Sequence, residues 1–165
     1  MKKLLAIVVA VVMAFTLLAG CGGGGASKGQ EPANKPEPAP AAGYKDGTYT
    51  AEQEDFAENG WKSRVTIEVK DGKIVSADWN AVHKDGGKDK KKLSADGEYG
   101  MVAKGGAKAE WHEQAARVEA YLVEKQDPSA ISYSDDEGHT DAISGASISV
   151  REFFELAAKA LEKAK

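Results

Sequence analysis

Residues 62–80 read KSRVTIEVKDGKIVSADWN, and this stretch decides the fold. Between Lys62 and Lys70, Val65, Ile67 and Val69 alternate with Thr66 and Glu68. A period of two puts the three aliphatic side chains on one face, as in a strand with one side buried and the other in water. Asp71-Gly72 comes next, a pair that tolerates the two positive φ angles of a type I′ turn, so the chain is expected to return at once as an antiparallel partner. The returning strand runs from Lys73 to Asn80, and the same alternation directs Val75, Ala77 and Trp79 to a common face. Upstream, Tyr44 to Gln53 carries Tyr49 between two threonines and reads as an edge strand. The three strands make an antiparallel meander.

Downstream the period lengthens. From Ala109 to Gln126, Trp111, Ala115, Val118 and Leu122 form one stripe of an amphipathic helix, and Pro128 forbids its continuation. Ala130 to Tyr133 reads as a short strand. Ser149 to Ala164 is the last helix, with Val150, Phe153, Phe154, Ala157 and Leu161 facing the core and Ser149-x-x-Glu152 in the form of a capping box. From Val82 to Lys92 there is almost no apolar content but there are five lysines (84, 88, 90, 91 and 92), which predicts a solvated loop or, as a sharper reading, a dock for an anionic partner. Strands first and helices afterwards give an α+β fold, a small antiparallel β-meander packed against helices.

The 165 residues divide into three parts. Residues 1–20 hold Lys2 and Lys3, then an uncharged apolar run from Leu4 to Leu18, then small residues: a secretory signal, too short for the roughly 20 apolar residues of a permanent bilayer span. Leu18-Ala19-Gly20-Cys21 resembles the bacterial lipobox, which implies that Cys21 is diacylated after cleavage; two acyl chains anchor stably. Residues 21–43 form a tether: Gly22 to Gly43 contains six Gly, four Pro and five Ala, and cannot build a core. Residues 44–165 are the single payload domain. The expected location is the outer face of a cell membrane, held by a lipid anchor.

Composition narrows the function. Lys plus Arg number 22 against 26 Asp plus Glu, a net charge of −4, whereas a nucleic-acid binder is normally basic. The lone cysteine leaves no internal disulfide, no dithiol and no cysteine-ligated iron–sulfur cluster, so redox chemistry in this chain requires a borrowed cofactor.

The chemically informative segment precedes the last helix: Asp141-Ala142-Ile143-Ser144-Gly145-Ala146-Ser147. Gly145 and Ala146 have almost no side chain, so a ligand or protein can approach the backbone there. Ser147 is expected at the mouth of the helix, whose N-terminus favours phosphate, which places its hydroxyl to carry a phosphoester. The segment resembles the flavinylation signature of the FMN-binding domain family: Asp, two free residues, Ser or Thr, Gly, Ala, then Ser or Thr. Asp46-Gly47-Thr48-Tyr49, Gly60-Trp61-Lys62, the run from Val69 to Ile74 and Glu124-Lys125-Gln126 extend the resemblance across the payload, in the manner of bacterial surface lipoproteins.

The resemblance implies that a flavin transferase, using FAD and a divalent metal, attaches FMN through its phosphate to Ser147, with Asp141, Ser144, Gly145 and Ala146 as the recognition motif. Related domains occur in ion-translocating NADH:quinone reductases and in lipoproteins that pass electrons to extracellular acceptors. The implied function is a membrane-anchored carrier, not an enzyme, that moves electrons between a membrane reductase or quinol-linked donor and another carrier or an external acceptor. Most members carry Thr at the acceptor; Ser147 keeps the hydroxyl and loses the methyl that stiffens χ1. That departure supports an alternative, a surface binding or adhesion lipoprotein with the same fold and no flavin.

The remaining candidates read as structure. Trp61, Trp79, Trp111 and Tyr49 read as core aromatics rather than flavin stackers. His83, His112 and His139 lack metal-ligand spacing and read as surface residues, and the acidic run Asp135, Asp136, Glu137, His139 and Asp141 lacks the order of an EF-hand.

Overall fold

A computed structural model describes residues 43–165. The signal, Cys21 and the tether up to residue 42 lie outside the described residues. Strands β1 (Gly47–Glu52), β2 (Trp61–Lys70) and β3 (Lys73–His83) form one antiparallel sheet in the order β1-β2-β3. Helices α1 (Lys90–Ala95), α2 (Trp111–Lys125) and α3 (Arg151–Glu162) follow. The fold is the expected α+β meander, with α2 and α3 covering one face of the sheet.

The hairpin turn forms as its residues dictate, with Asp71 at φ 52° and Gly72 at φ 72°. Asp46 steadies it by accepting a hydrogen bond from Gly72 N–H at 3.0 Å. In β2, Val65, Ile67 and Val69 are buried as their alternation requires. In β3 the reading needs correction at one point. The pairing passes from Glu68–Ser76 to Val69–Ile74, so Val75 is an extra residue in a β-bulge. Ile74 therefore points into the core and Val75 is 44% exposed, while Ala77, Trp79 and Ala81 stay on the buried face. A bulge inverts the alternation on one side of itself, and a strict period of two misses that.

The core between sheet and helices is aromatic. Trp79 meets Trp111 at 5.2 Å and Phe153 at 5.3 Å between ring centroids, and Phe153 meets Phe154 edge-on at 5.0 Å. The stripe Trp111, Ala115, Val118 and Leu122 is buried, as are Val150, Phe153, Phe154, Ala157 and Leu161. Each fully buried large side chain contributes roughly 1.5–3 kcal/mol.

The outer edge of β3 is sealed by side chains of α2. Gln126, the left-handed cap of that helix at φ 62°, accepts from Ile74 N–H and donates to Ile74 O, both at 2.8 Å, so its amide stands in for a fourth strand. Glu119 accepts from Trp79 N–H at 2.7 Å. Burial, the largest influence on Glu119, pushes its carboxyl above the usual range, although Lys91 and the Trp79 N–H favour its ionised form.

Three further expectations change. Val82 to Lys92 is not a loop throughout: β3 runs to His83, and Asp89 caps the lysine-rich α1 by accepting from Lys92 N–H at 2.8 Å. Residues 130–133 form no strand. Ser149 does not cap α3; Val150 does so without a side-chain bond, and the capping box sits instead at Glu110 and Glu113 of α2.

Candidate functional site

The loop from Gly138 to Ser149 is pinned at both ends. Val150 N–H donates to Gly138 O at 2.9 Å, and Ser149 Oγ donates to Glu137 O at 2.6 Å. Its entry is fixed by Thr140, whose hydroxyl donates to Ser132 O at 2.7 Å and accepts from Ala142 N–H at 3.1 Å. Asp141, beside it, is exposed.

The motif itself is a tight turn. Ala146 N–H donates to Ile143 O at 3.1 Å, and Gly145, third in the turn, has φ 79°. A positive φ at that place is what a type II turn requires, and glycine adopts it without the penalty of a Cβ. Ile143 is buried and anchors the turn to the core, while Ser144 and Gly145 are exposed at its tip. The structure thus brings Ser144, Gly145 and Ala146 together in one turn, with Ser147 directly after it.

Ser147 is exposed and stands three residues before the cap of α3. What holds it is α2. Gln114 Oε1 accepts from Ser147 N–H at 2.7 Å and from Ser147 Oγ–H at 3.2 Å, and Arg117 Nη1 donates to Gly145 O at 2.7 Å. Neither α2 residue was identified from the sequence. The signal was present for one of them: Gln114 follows Trp111 by three positions, on the face where an apolar residue belongs. Between α2 and the loop an open groove of about 320 Å³ is lined by Arg117, Tyr121 and Glu124 on one side and by Ala142, Ile143 and Ser144 on the other.

The basic run is largely neutralised within the domain. Lys88 pairs with Asp96 and Glu98, Lys91 with Asp78 and Glu119, and Lys92 with Asp96. Lys90 instead lies over three rings, 4.6 Å from the centroid of Trp111, 5.4 Å from Tyr99 and 5.6 Å from Trp61. Burial lowers its pKa to about 8, and the nearby Glu152 charge offsets part of that effect. Trp79 and Trp111 are core, as expected, whereas Trp61 is half-buried and contributes to this cage.

The histidines are partly buried rather than free on the surface. His112 Nδ1 meets Ser94 Oγ at 2.9 Å, and His139 closes the acidic loop on itself through Asp135 at 2.7 Å. Among the described residues no group of three or more His, Cys, Asp or Glu is arranged to hold a metal ion, and no helix is long and apolar enough to cross a membrane.

The features around Ser147 fit a phosphate-linked group. An exposed hydroxyl follows a turn of small residues, an arginine holds the carbonyl of the turn's glycine, and a Cβ at Gly145 would stand 3.0 Å from Arg117 Nη1. Known proteins match this chain. A solved solution structure from Clostridium thermocellum is 68% identical and covers 73% of this chain and 92% of its own, with a TM-score of 0.57. A crystal structure of a Clostridium perfringens protein is 30% identical, covers 73% of this chain and 88% of its own, and has a TM-score of 0.57. The 15 kDa lipoprotein of Treponema pallidum (strain Nichols) is 28% identical over 119 residues, which is 72% of this chain and 75% of that protein. The model of the FMN-binding domain matches residues 60–162, from the start of β2 to the end of α3 and with the whole motif inside it, and the chain belongs to the FMN-binding domain family.

Proposed function

We propose that this chain is an extracytoplasmic, lipid-anchored flavoprotein that carries FMN as a phosphoester on Ser147 and passes electrons between a membrane donor and another carrier or external acceptor. The observation that carries the reading is the placement of the motif. Asp141 to Ser147 matches the flavinylation signature at every defined position, and the fold presents its last hydroxyl to solvent on a pinned loop. The match to a lipoprotein supports the anchor at Cys21, which together with the tether holds the domain at the membrane surface.

The chain's own residues supply attachment and presentation. Ser147 provides the oxygen of the ester, Gly145 and Ala146 allow close approach of a transferase, and Arg117 offers positive charge near the phosphate. The groove beside Tyr121 leaves room along the motif loop at Ala142, Ile143 and Ser144. FMN, when bound, accepts one or two electrons, and the protein's part is to orient and tune it. A covalent bond prevents an outward-facing carrier from losing its cofactor to the medium. In this reading the chain is the substrate of a flavin transferase and a carrier rather than a catalyst.

The test is the intact mass of the denatured chain after export with an active transferase, for the wild type and for Ser147→Ala. A gain of one FMN minus water, absent in the variant, is the expected result. No gain, with a transferase that loads a threonine-bearing family member, would overturn the reading and leave a flavin-free surface lipoprotein in its place.

A further inference from the structure

Gln114 is 1% exposed, among the most buried side chains of the domain, on the face of α2 that carries Trp111 and Val118. An amide in such a place is costly unless both of its ends are bonded. Here both are: Nε2 donates to Ala109 O at 2.9 Å, which commits the nitrogen end and turns the oxygen end to the motif loop. There Oε1 takes two donors from one residue, Ser147 N–H at 2.7 Å and Ser147 Oγ–H at 3.2 Å. One turn further along the helix, Arg117 holds Gly145 O at 2.7 Å. The neighbouring serines are treated differently. Ser149 gives its proton to a main-chain carbonyl, Glu137 O, and Ser144 is exposed at the tip of the turn.

Resting on the reading of Ser147 as the flavin acceptor, we propose that Gln114 is the positioning residue for that acceptor. It holds Ser147 Oγ by its proton, so that the lone pairs of the oxygen face outward toward a flavin dinucleotide presented by the transferase. In the transfer, a bond forms from Ser147 Oγ to the flavin-side phosphorus and the bond from that phosphorus to the adenylate oxygen breaks. AMP leaves, and the Oγ proton passes to a base on the transferase, because a neutral amide oxygen is too weak a base to keep it. No atom changes oxidation state. Gln114 Oε1 gives up one donor in this step and keeps the other, Ser147 N–H, so the loop is still held once the ester has formed.

The experiment follows initial rates of flavin loading on the full chain with transferase, FAD and a divalent cation, for wild type, Gln114→Met and Gln114→Glu, over a range of chain concentrations. Amide hydrogen exchange at Ser147 is measured on the same proteins without flavin. Gln114→Met keeps the volume and removes the acceptor oxygen. It is expected to lower kcat for loading tenfold or more, to leave KM within about twofold, and to speed exchange of Ser147 N–H. Gln114→Glu keeps an oxygen at the same place and, with its buried carboxyl protonated, still donates to Ala109 O; in that form it is expected to recover most of the rate and of the protection. If the methionine variant is unfolded by circular dichroism, Gln114→Asn, which withdraws the oxygen by one methylene, is expected to give the same loss. A folded Gln114→Met or Gln114→Asn chain that loads at the wild-type rate would overturn the proposal. Failure of the acceptor reading is separately visible: wild type and Ser147→Thr would both stay unloaded, while exchange at Ser147 still responded to residue 114.

Discussion

The two ends of helix α2 each carry a glutamine whose side-chain amide bonds to the main chain of another element, and they do so for different purposes. At the C-terminal end, Gln126 pairs with both polar groups of Ile74 and closes the edge of the sheet. At the N-terminal end, Gln114 binds the backbone and hydroxyl of Ser147, in the loop whose Ile143 is anchored in the core. The first contact serves the fold, since without it an N–H and a C=O at a half-buried strand edge lose their partners. The second holds a hydroxyl in one orientation, a task that folding does not require. On the proposed role of Ser147, similar chemistry at the two ends separates stability from function along a single helix.

The strongest way to break this comparison is Gln126→Ala. Losing both bonds to Ile74 is expected to cost about 2–3 kcal/mol in denaturant unfolding, with loading of the folded fraction unchanged. Gln114→Met should show the opposite balance: a smaller loss, about 1–2 kcal/mol, from the unpaired Ala109 O and Ser147 N–H, beside a large fall in loading. Equal effects of the two substitutions on both measurements would remove the distinction. Gly145→Ala is expected to cost about 1 kcal/mol, because alanine resists φ 79° and its Cβ must displace the Arg117 guanidinium; urea titration measures it.

The smallest effect sharpens the picture at the N-terminal end. Lys90 lies over Trp111, and its folded pKa of about 8 lies below the ordinary lysine value of 10.5. A lowered lysine pKa means that folding disfavours the charged form. Stability is therefore reduced in full below about pH 8 and is regained as pH rises from there toward 10.5. The attraction of the three rings for the cation opposes this, so the expected gain is only about 0.5–1 kcal/mol. Tyr99, in the same cage, has its pKa raised by burial and works in the opposite direction above pH 10. The informative quantity is thus the difference between wild type and Lys90→Met from pH 7 to 9.5, which is expected to narrow as pH rises.

The meander was legible because Val65, Ile67, Val69 and the Asp71-Gly72 turn obey local rules that need no knowledge of the rest of the chain. The helical stripes were legible for the same reason. Val75 was not, because a bulge is settled by pairing across strands rather than by the pattern within one. α1 escaped because six residues that include three lysines have no apolar period, and Asp89 was its only sign. At the site, the motif singled out the loop proposed to carry the acceptor, but the geometry of that loop could not follow from the motif. The residues that hold it, Gln114 and Arg117, lie about thirty positions earlier and meet it only through the packing of α2. Ser149-x-x-Glu152 has the form of a capping box without acting as one, whereas Glu110, which does, is not among the residues that usually cap helices.

The sealed edges of the sheet bear on how such a domain behaves at high density. A bare edge strand is a template on which a second copy can add its own strand, and anchored proteins are concentrated in two dimensions, where such encounters are frequent. Here Gln126 and Glu119 occupy main-chain groups along β3, and Lys163 donates to Thr50 O on β1 at 2.7 Å. Along β3 these side chains interrupt the ladder at Ile74 and Trp79, and on β1 the Thr50 carbonyl is already engaged. Anchored as proposed, such molecules would meet one another with fewer open strand positions on which to condense into sheets.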